Sequence, residues 1–243
     1  MLDAVTTSTR SCTLTSTLTA LPGLTLVHQD AHLLVACKPA GLLCVPGRGP
    51  DKADCLAARV LAHCADARVV HRLDMATSGL VVFGRGAVMQ RQLSIAFAER
   101  RVHKVYQAVV AGLLADDAGE IDLPLAPDWP NRPRQQVDRA AGKPSLTRWQ
   151  VIGRDPQAGT TRLRLAPLTG RSHQLRLHLA AIGHPILGDA LYASPAQAAA
   201  APRLLLHACE LGFEVGTLAP AGAGPGGAYA SDGPPQFSSP TPF

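Results

Sequence analysis

Only two stretches of this chain, Ala87 to Arg100 and Arg171 to Ile182, clearly space their apolar residues for an amphipathic helix of several turns. Met89, Leu93 and Phe97 recur at every fourth position in the first. Leu175, Leu179 and Ile182 share one stripe in the second, and Gly183 is placed to cap its end. A shorter helical spacing, Leu56, Val60 and Leu61, lies within Asp54 to His63. The other patterned segments read as strands. They are Val27 to Lys38 with a turn near Asp30, Val69–Val70, Gly79 to Phe83, Val102 to Val110, and Leu204 to Val215. Trp149 to Ile152 and Thr161 to Leu165 read as a pair joined by a Gly/Pro turn. Many strands around few helices, without regular strand–helix alternation, imply an α+β fold.

At 243 residues the chain has room for one large domain or two small ones, and for a substantial core. Residues 1–23 are Thr-rich and read as a flexible lead-in, leaving 24–243 for the folded part. Leu123 to Gly142 is rich in Pro, Arg and Asn and carries no period. Residues 216–235 form a Gly/Pro/Ala-rich insert that reads as a mobile loop.

The net charge of +5 is modest, but its distribution is not. Segments 91–104, 131–148 and 161–178 carry +3, +4 and +4, so the rest of the chain carries −6. Of the 23 cationic side chains 19 are Arg, whose planar fork grips phosphates bidentately and stacks on bases. Clustering of this kind suggests a polyanion partner, although solvated basic faces would look the same. The six cysteines include no C-x-x-C pair and no zinc-finger grouping. Met1 to Pro22 holds no continuous apolar stretch for a signal peptide, and no segment has the length of a membrane span. A cytoplasmic protein with reduced thiols is the expectation.

Two stretches could carry chemistry. His71-Arg72-Leu73-Asp74-Met75-Ala76-Thr77-Ser78-Gly79-Leu80 sets an acid, bases and hydroxyls in a loop that feeds an apolar strand. An Asp capping a turn would give the same pattern. Thr169-Gly170-Arg171-Ser172-His173-Gln174-Leu175-Arg176 places Arg171 near a helix start, where it could pair with a carboxylate such as Asp74 or contact phosphate. Elbow, P-loop and H-E-x-x-H motifs are absent, and His173 and His178 are badly spaced for one metal. No metal and no cofactor are expected.

HRLDMATSGL at 71–80, KVYQA at 104–108 and GRSHQLRLHLAAIGHPILGDALY at 170–192 resemble, in order, the signature motifs of RluA-type pseudouridine synthases. The likeness runs from about Val27 to Phe213 and takes in KPAGLLCVPG at 38–47 and RLLLHA at 203–208. It implies a mostly antiparallel central sheet flanked by helices and loops, making 24–243 the catalytic domain. It also implies Asp74 as the essential aspartate, Tyr106 as the residue stacked on the target base, and Arg171 as the partner of Asp74. Arg72 would fill the space of the flipped nucleotide. His71, Arg132, Arg134 and Arg176 join Arg72 as expected RNA contacts. Asp128 to Pro133 and Gly142 to Ser145 resemble a dual-specificity subgroup that acts on a 23S ribosomal RNA hairpin and on transfer RNA anticodon stem-loops. The region before Val27 does not resemble the S4-like RNA-binding domain of some family members. A monomer acting on RNA is expected. The alternatives are the same chemistry at a single other RNA site, and a non-catalytic RNA-binding protein or chaperone.

Overall fold

The computed structural model describes residues 19–214 and 235–243, so most of the expected lead-in and of the 216–235 insert lies outside the described residues. Strands β1 (Thr19–Leu21), β2 (Leu24–Gln29) and β3 (Leu33–Lys38) open the chain. Helix α1 (Leu56–His63), β4 (Ala67–Val69), β5 (Ser78–Arg85), α2 (Gly86–Ala98) and β6 (Val102–Ala111) follow. Then come β7 (Ala118–Asp122), β8 (Leu125–Pro127), β9 (Gln135–Val137), β10 (Leu146–Asp155) and β11 (Thr160–Pro167). Helices α3 (Gln174–Ala181) and α4 (Pro195–Ala199) precede β12 (Leu206–Phe213) and β13 (Gln236–Ser238).

One sheet dominates, in the order β1-β2-β3-β5-β12-β6-β11-β10-β7, with β4 paired to β5, β13 paired to β12, and a separate β8–β9 hairpin. Every strand pair is antiparallel except β5 with β12, where His207 faces Ser78 and Ala208 faces Gly79. That parallel junction joins an N-terminal half-sheet to a C-terminal one. A Cβ on Gly79, whose φ is +119°, would run into the Ala208 backbone. The glycine of Thr77-Ser78-Gly79 is therefore required by the junction.

The sheet is covered on both sides where the junction lies. In β3, Leu34 and Ala36 face one core with α1, while Leu33 and Val35 face another with α2. In β5, Val81 and Phe83 join the first, and Leu80 and Val82 the second. Two buried faces explain why Gly79 to Phe83 is a continuous apolar run rather than an alternating one. A third core joins Leu163 and Leu165 of β11 to Leu175 and Leu179 of α3. Each of these leucines, hidden from water, contributes about 1.5–3 kcal/mol.

The α+β class and the mostly antiparallel sheet agree with the sequence reading. Several details differ. The unperiodic segment 123–142 contains the β8–β9 hairpin, whose strands are only three residues long and bounded by proline and arginine. Such short strands give no detectable alternation. Strand β1 already pairs within the expected lead-in, and β7, α4 and β13 were not anticipated. Helix α3 starts at Gln174 instead of Arg171, because His173 adopts φ 56° and ψ 15° and breaks the helical path.

Candidate active site

The loop that ends at β5 carries Asp74 to the junction, and it is pinned from beneath. Lys38 is wholly buried, and its ammonium donates to the carbonyls of Pro39 (2.8 Å), Leu42 (2.7 Å) and Met75 (2.9 Å). Burial pulls its pKa down to about 8. The Thr77 N–H donates to the Asp74 carbonyl at 3.1 Å, closing a turn. Behind it the Ser78 hydroxyl lies 2.8 Å from His207 Nδ1 and accepts from Arg203 at 2.6 Å.

Asp74 borders a cavity of about 100 Å³ together with Arg72, Lys104, Tyr106, Arg171, His173 and Arg176. Tyr106 projects from β6 next to the junction, and burial pushes its phenol pKa upward, so it stays protonated. Lys104, two residues earlier on the same strand, donates to the Thr169 carbonyl at 3.4 Å, and burial lowers its pKa. Arg72 is exposed and pairs with no carboxylate among the described residues.

The cation facing Asp74 is Arg176, and this corrects the expectation for Arg171. Arg176 Nη1 lies 3.9 Å from Asp74 Oδ2. The rest of its guanidinium is locked on Asp189, with Nε 2.8 Å from Oδ2 and Nη2 2.6 Å from Oδ1. Asp189 Oδ1 also accepts from the N–H groups of Leu191 (2.9 Å) and Tyr192 (3.2 Å). Burial works to lower the Arg176 pKa, and the bonds to Asp189 outweigh it, so the net direction is upward. Arg176 is thus buried and paired with two carboxylates, unlike the exposed RNA contact expected. Arg171 precedes the helix, is exposed, and donates only a long 3.4 Å bond to the Pro144 carbonyl. Its backbone N–H is held by Gln174 Oε1 at 3.0 Å. One sequence signal separates the two arginines: Arg176 falls between Leu175 and Leu179, inside the core-facing stripe of α3.

A groove of about 750 Å³ continues from the cavity, lined by Arg72, Arg100, His103, Lys104, Arg148 and Arg171. His71 borders this groove, but its ring is held in place. Nε2 accepts from the Val82 N–H at 3.0 Å, and the ring stacks on Phe97 with centroids 4.5 Å apart. Burial drives its pKa down to about 3. Arg132 and Arg134 lie apart from the cavity, exposed between β8 and β9. The Arg132 guanidinium sits 3.4 Å over the Trp129 ring, and Arg134 sits 5.4 Å over Tyr192.

Asp189, Tyr192 and Lys38 are not singled out by the sequence reading, since each depends on partners distant in the chain, whereas Arg100 and Arg148 fall in its basic segments and His173 in its second chemical stretch. No cluster of three or more His, Cys, Asp or Glu side chains fit to hold a metal ion occurs among the described residues. The arrangement offers one half-exposed carboxylate beside a fixed cation, an aromatic ring and a basic groove. That set suits chemistry at a sugar–base bond of a polyanion.

Residues 32–181 match the family model described as RNA pseudouridylate synthase. The dual-specificity RNA pseudouridine synthase RluA of Vibrio cholerae is 50% identical over 192 residues, which cover 79% of this chain and 78% of that protein. Its counterpart in Escherichia coli K12 is 49% identical over 77% of this chain and 85% of that one. Among solved structures, human RNA pseudouridylate synthase domain containing 1 superposes with a TM-score of 0.71 at 27% identity. That comparison covers 92% of this chain and 87% of the human chain. Human RNA pseudouridylate synthase domain containing 4 shares the fold, with a TM-score of 0.66 at 24% identity. The chain belongs to the RNA pseudouridylate synthase family and is an RNA-modifying isomerase.

Proposed function

We propose that this protein converts uridines in both a 23S ribosomal RNA hairpin and the anticodon stem-loops of transfer RNAs, with Asp74 as the catalytic carboxylate. The observation that carries the dual assignment is identity of about half over most of the chain to relatives named dual-specificity enzymes. Asp128 to Pro133, the segment that resembles the dual-specificity subgroup, lies on the exposed β8–β9 hairpin.

Uridine and pseudouridine are isomers, so the overall change needs no oxidant, energy source or group donor. The N1–C1′ bond breaks, the C5–C1′ bond forms, C5 loses a proton and N1 gains one. Breaking the first bond builds positive character on the sugar, which an adjacent carboxylate stabilises. Asp74 serves by attacking the sugar or the base, or by removing a sugar proton. Arg176, itself held by Asp189, fixes the carboxylate. Tyr106 offers an aromatic face to hold the detached base. The target nucleotide must first leave its stack, at a cost of about a few kcal/mol that is least in loops. Arg72, exposed and unpaired, is free to enter the vacated space. Arg100, Lys104, Arg148 and Arg171 line a groove suited to the phosphates on either side.

No described helix is long and apolar enough to cross a membrane, and the five described cysteines are free thiols. Both facts fit a cytoplasmic enzyme meeting RNA there. Pseudouridine-specific chemical mapping of total RNA, with and without the gene, tests the reading. Loss of signal at a 23S hairpin and at anticodon stem-loops is expected. Loss in only one RNA class would remove the dual assignment, and no change at any uridine would remove the catalytic one.

A further inference from the structure

His173 occupies the residue before α3 with φ 56° and ψ 15°, a left-handed conformation that non-glycine residues rarely adopt. That backbone turns the imidazole into the cavity, half-buried, between two oxygens. Its Nδ1 is 2.7 Å from the Tyr192 hydroxyl, and its Nε2 is 4.0 Å from Asp74 Oδ2. The Tyr192 oxygen already accepts the Gln135 N–H at 2.8 Å. Among the described residues, Nδ1 is the acceptor left for the single hydroxyl hydrogen. The hydroxyl therefore donates to Nδ1, and the ring hydrogen sits on Nε2, facing Asp74. Burial lowers the His173 pKa, against the pull of Asp74, which agrees with a neutral ring. The two rings meet edge to face, with centroids 5.6 Å apart, so the imidazole plane is also set.

Both groups that face Asp74, His173 Nε2 and Arg176 Nη1, converge on Oδ2. Oδ1 has no such partner among the described residues. At 3.9–4.0 Å these contacts are longer than hydrogen bonds, as is common before substrate closes a site. Tyr192 has a second connection. Gln135 begins β9, and the Arg134 guanidinium lies over the tyrosine ring, so Tyr192 links the hairpin to His173.

We propose that His173 is a positioning residue for Asp74. Its Nε2–H, locked by the Tyr192 hydroxyl, holds Oδ2 jointly with Arg176 and leaves Oδ1 for the substrate. Tyr192 ties this alignment to the RNA-facing hairpin. The proposal rests on Asp74 being the catalytic carboxylate.

The test is single-turnover conversion of a stem-loop RNA, measured with RNA affinity and melting temperature, for His173→Asn, His173→Gln, Tyr192→Phe and Asp74→Asn. Asparagine accepts the left-handed backbone and reaches Tyr192, but it is too short for Asp74. Glutamine sets an amide N–H where Nε2 was. His173→Asn is expected to slow the chemical step by about 10- to 100-fold with RNA affinity nearly unchanged, as misplacement of a reacting group does. His173→Gln is expected to recover part of that loss. Tyr192→Phe is expected to slow the step alone, and to add little in the His173→Asn background. A wild-type rate for His173→Asn, or equal rates for the Asn and Gln variants, would overturn the proposal. If neither His173 variant folds, an unchanged rate for Tyr192→Phe does the same. A turnover-competent Asp74→Asn would overturn the Asp74 assignment itself, which separates the two failures.

Discussion

Asp74 and Asp189 both face Arg176, yet the side chain of Asp74 is 26% exposed and that of Asp189 is sealed completely. Asp189 sits in the turn between α3 and α4 with a bidentate arginine and two backbone N–H groups, so its buried charge is fully matched. Asp74 sits at the mouth of the cavity, and among the described residues its carboxylate makes ion pairs no shorter than 3.9 Å. One carboxylate is committed to holding the arginine in place. The other keeps lone pairs open to the cavity. With Asp74 as the proposed catalytic carboxylate, the contrast is a way to hold an acid in register without using up its oxygens: the cation is anchored elsewhere first.

The largest expected effect comes from breaking the committed pair. Asp189→Ala leaves a buried guanidinium without its partner and should cost about 3–5 kcal/mol in equilibrium unfolding. A loss below about 1 kcal/mol would show that the pair is not the anchor. The two arginines of the α3 segment sharpen the same comparison. Arg176→Met should lower stability by an amount similar to Asp189→Ala and slow turnover as well. Arg171→Met should leave stability within about 0.5 kcal/mol. It should weaken RNA binding and reduce the salt slope by about one. Abolished chemistry in Arg171→Met, with an active Arg176→Met, would reverse the assignment of Asp74's partner.

The smallest effect separates the walls behind the two acids. His71 and His207 flank the Asp74 loop, and burial holds their pKa values near 3 and near 4. Below pH 6.5 the unfolded chain therefore binds protons that the folded chain refuses. Stability contributed by these rings is present above pH 6.5 and falls as the pH drops toward 4. Melting temperature should decline over that interval, and His207→Gln should flatten the decline. An unchanged profile would mean that His207 is not refused its proton in the fold.

Much of this could be read from the chain. Of the strands at the junction, β5 and β12 announce themselves as apolar runs and β6 by its alternation, and α2 does so because it keeps one stripe over three turns. Asp74, Tyr106 and Arg72, which line one cavity, fall within motifs short enough to recognise as units. What escaped was set by distance or by backbone shape. Nothing local ties Asp189 to Arg176, 13 residues earlier, or Lys38 to Met75, 37 residues later. Its place near a helix start and the family resemblance favour Arg171 over Arg176 in the sequence. The left-handed His173 delays the helix to 174, and no periodicity argument foresees one such residue. The β8–β9 hairpin is too short and too proline-bound to show a period, although it presents Arg132 and Arg134.

The most direct measurement is single-turnover conversion of a uridine stem-loop by Asp74→Asn, with RNA affinity and unfolding followed on the same protein. If Asp74 is the free, reactive member of the pair, the rate falls at least about a thousandfold. RNA affinity should stay within about tenfold, and stability within about 1 kcal/mol of wild type. Conversion near the wild-type rate, or a collapse of the fold like that expected for Asp189→Ala, would contradict the account.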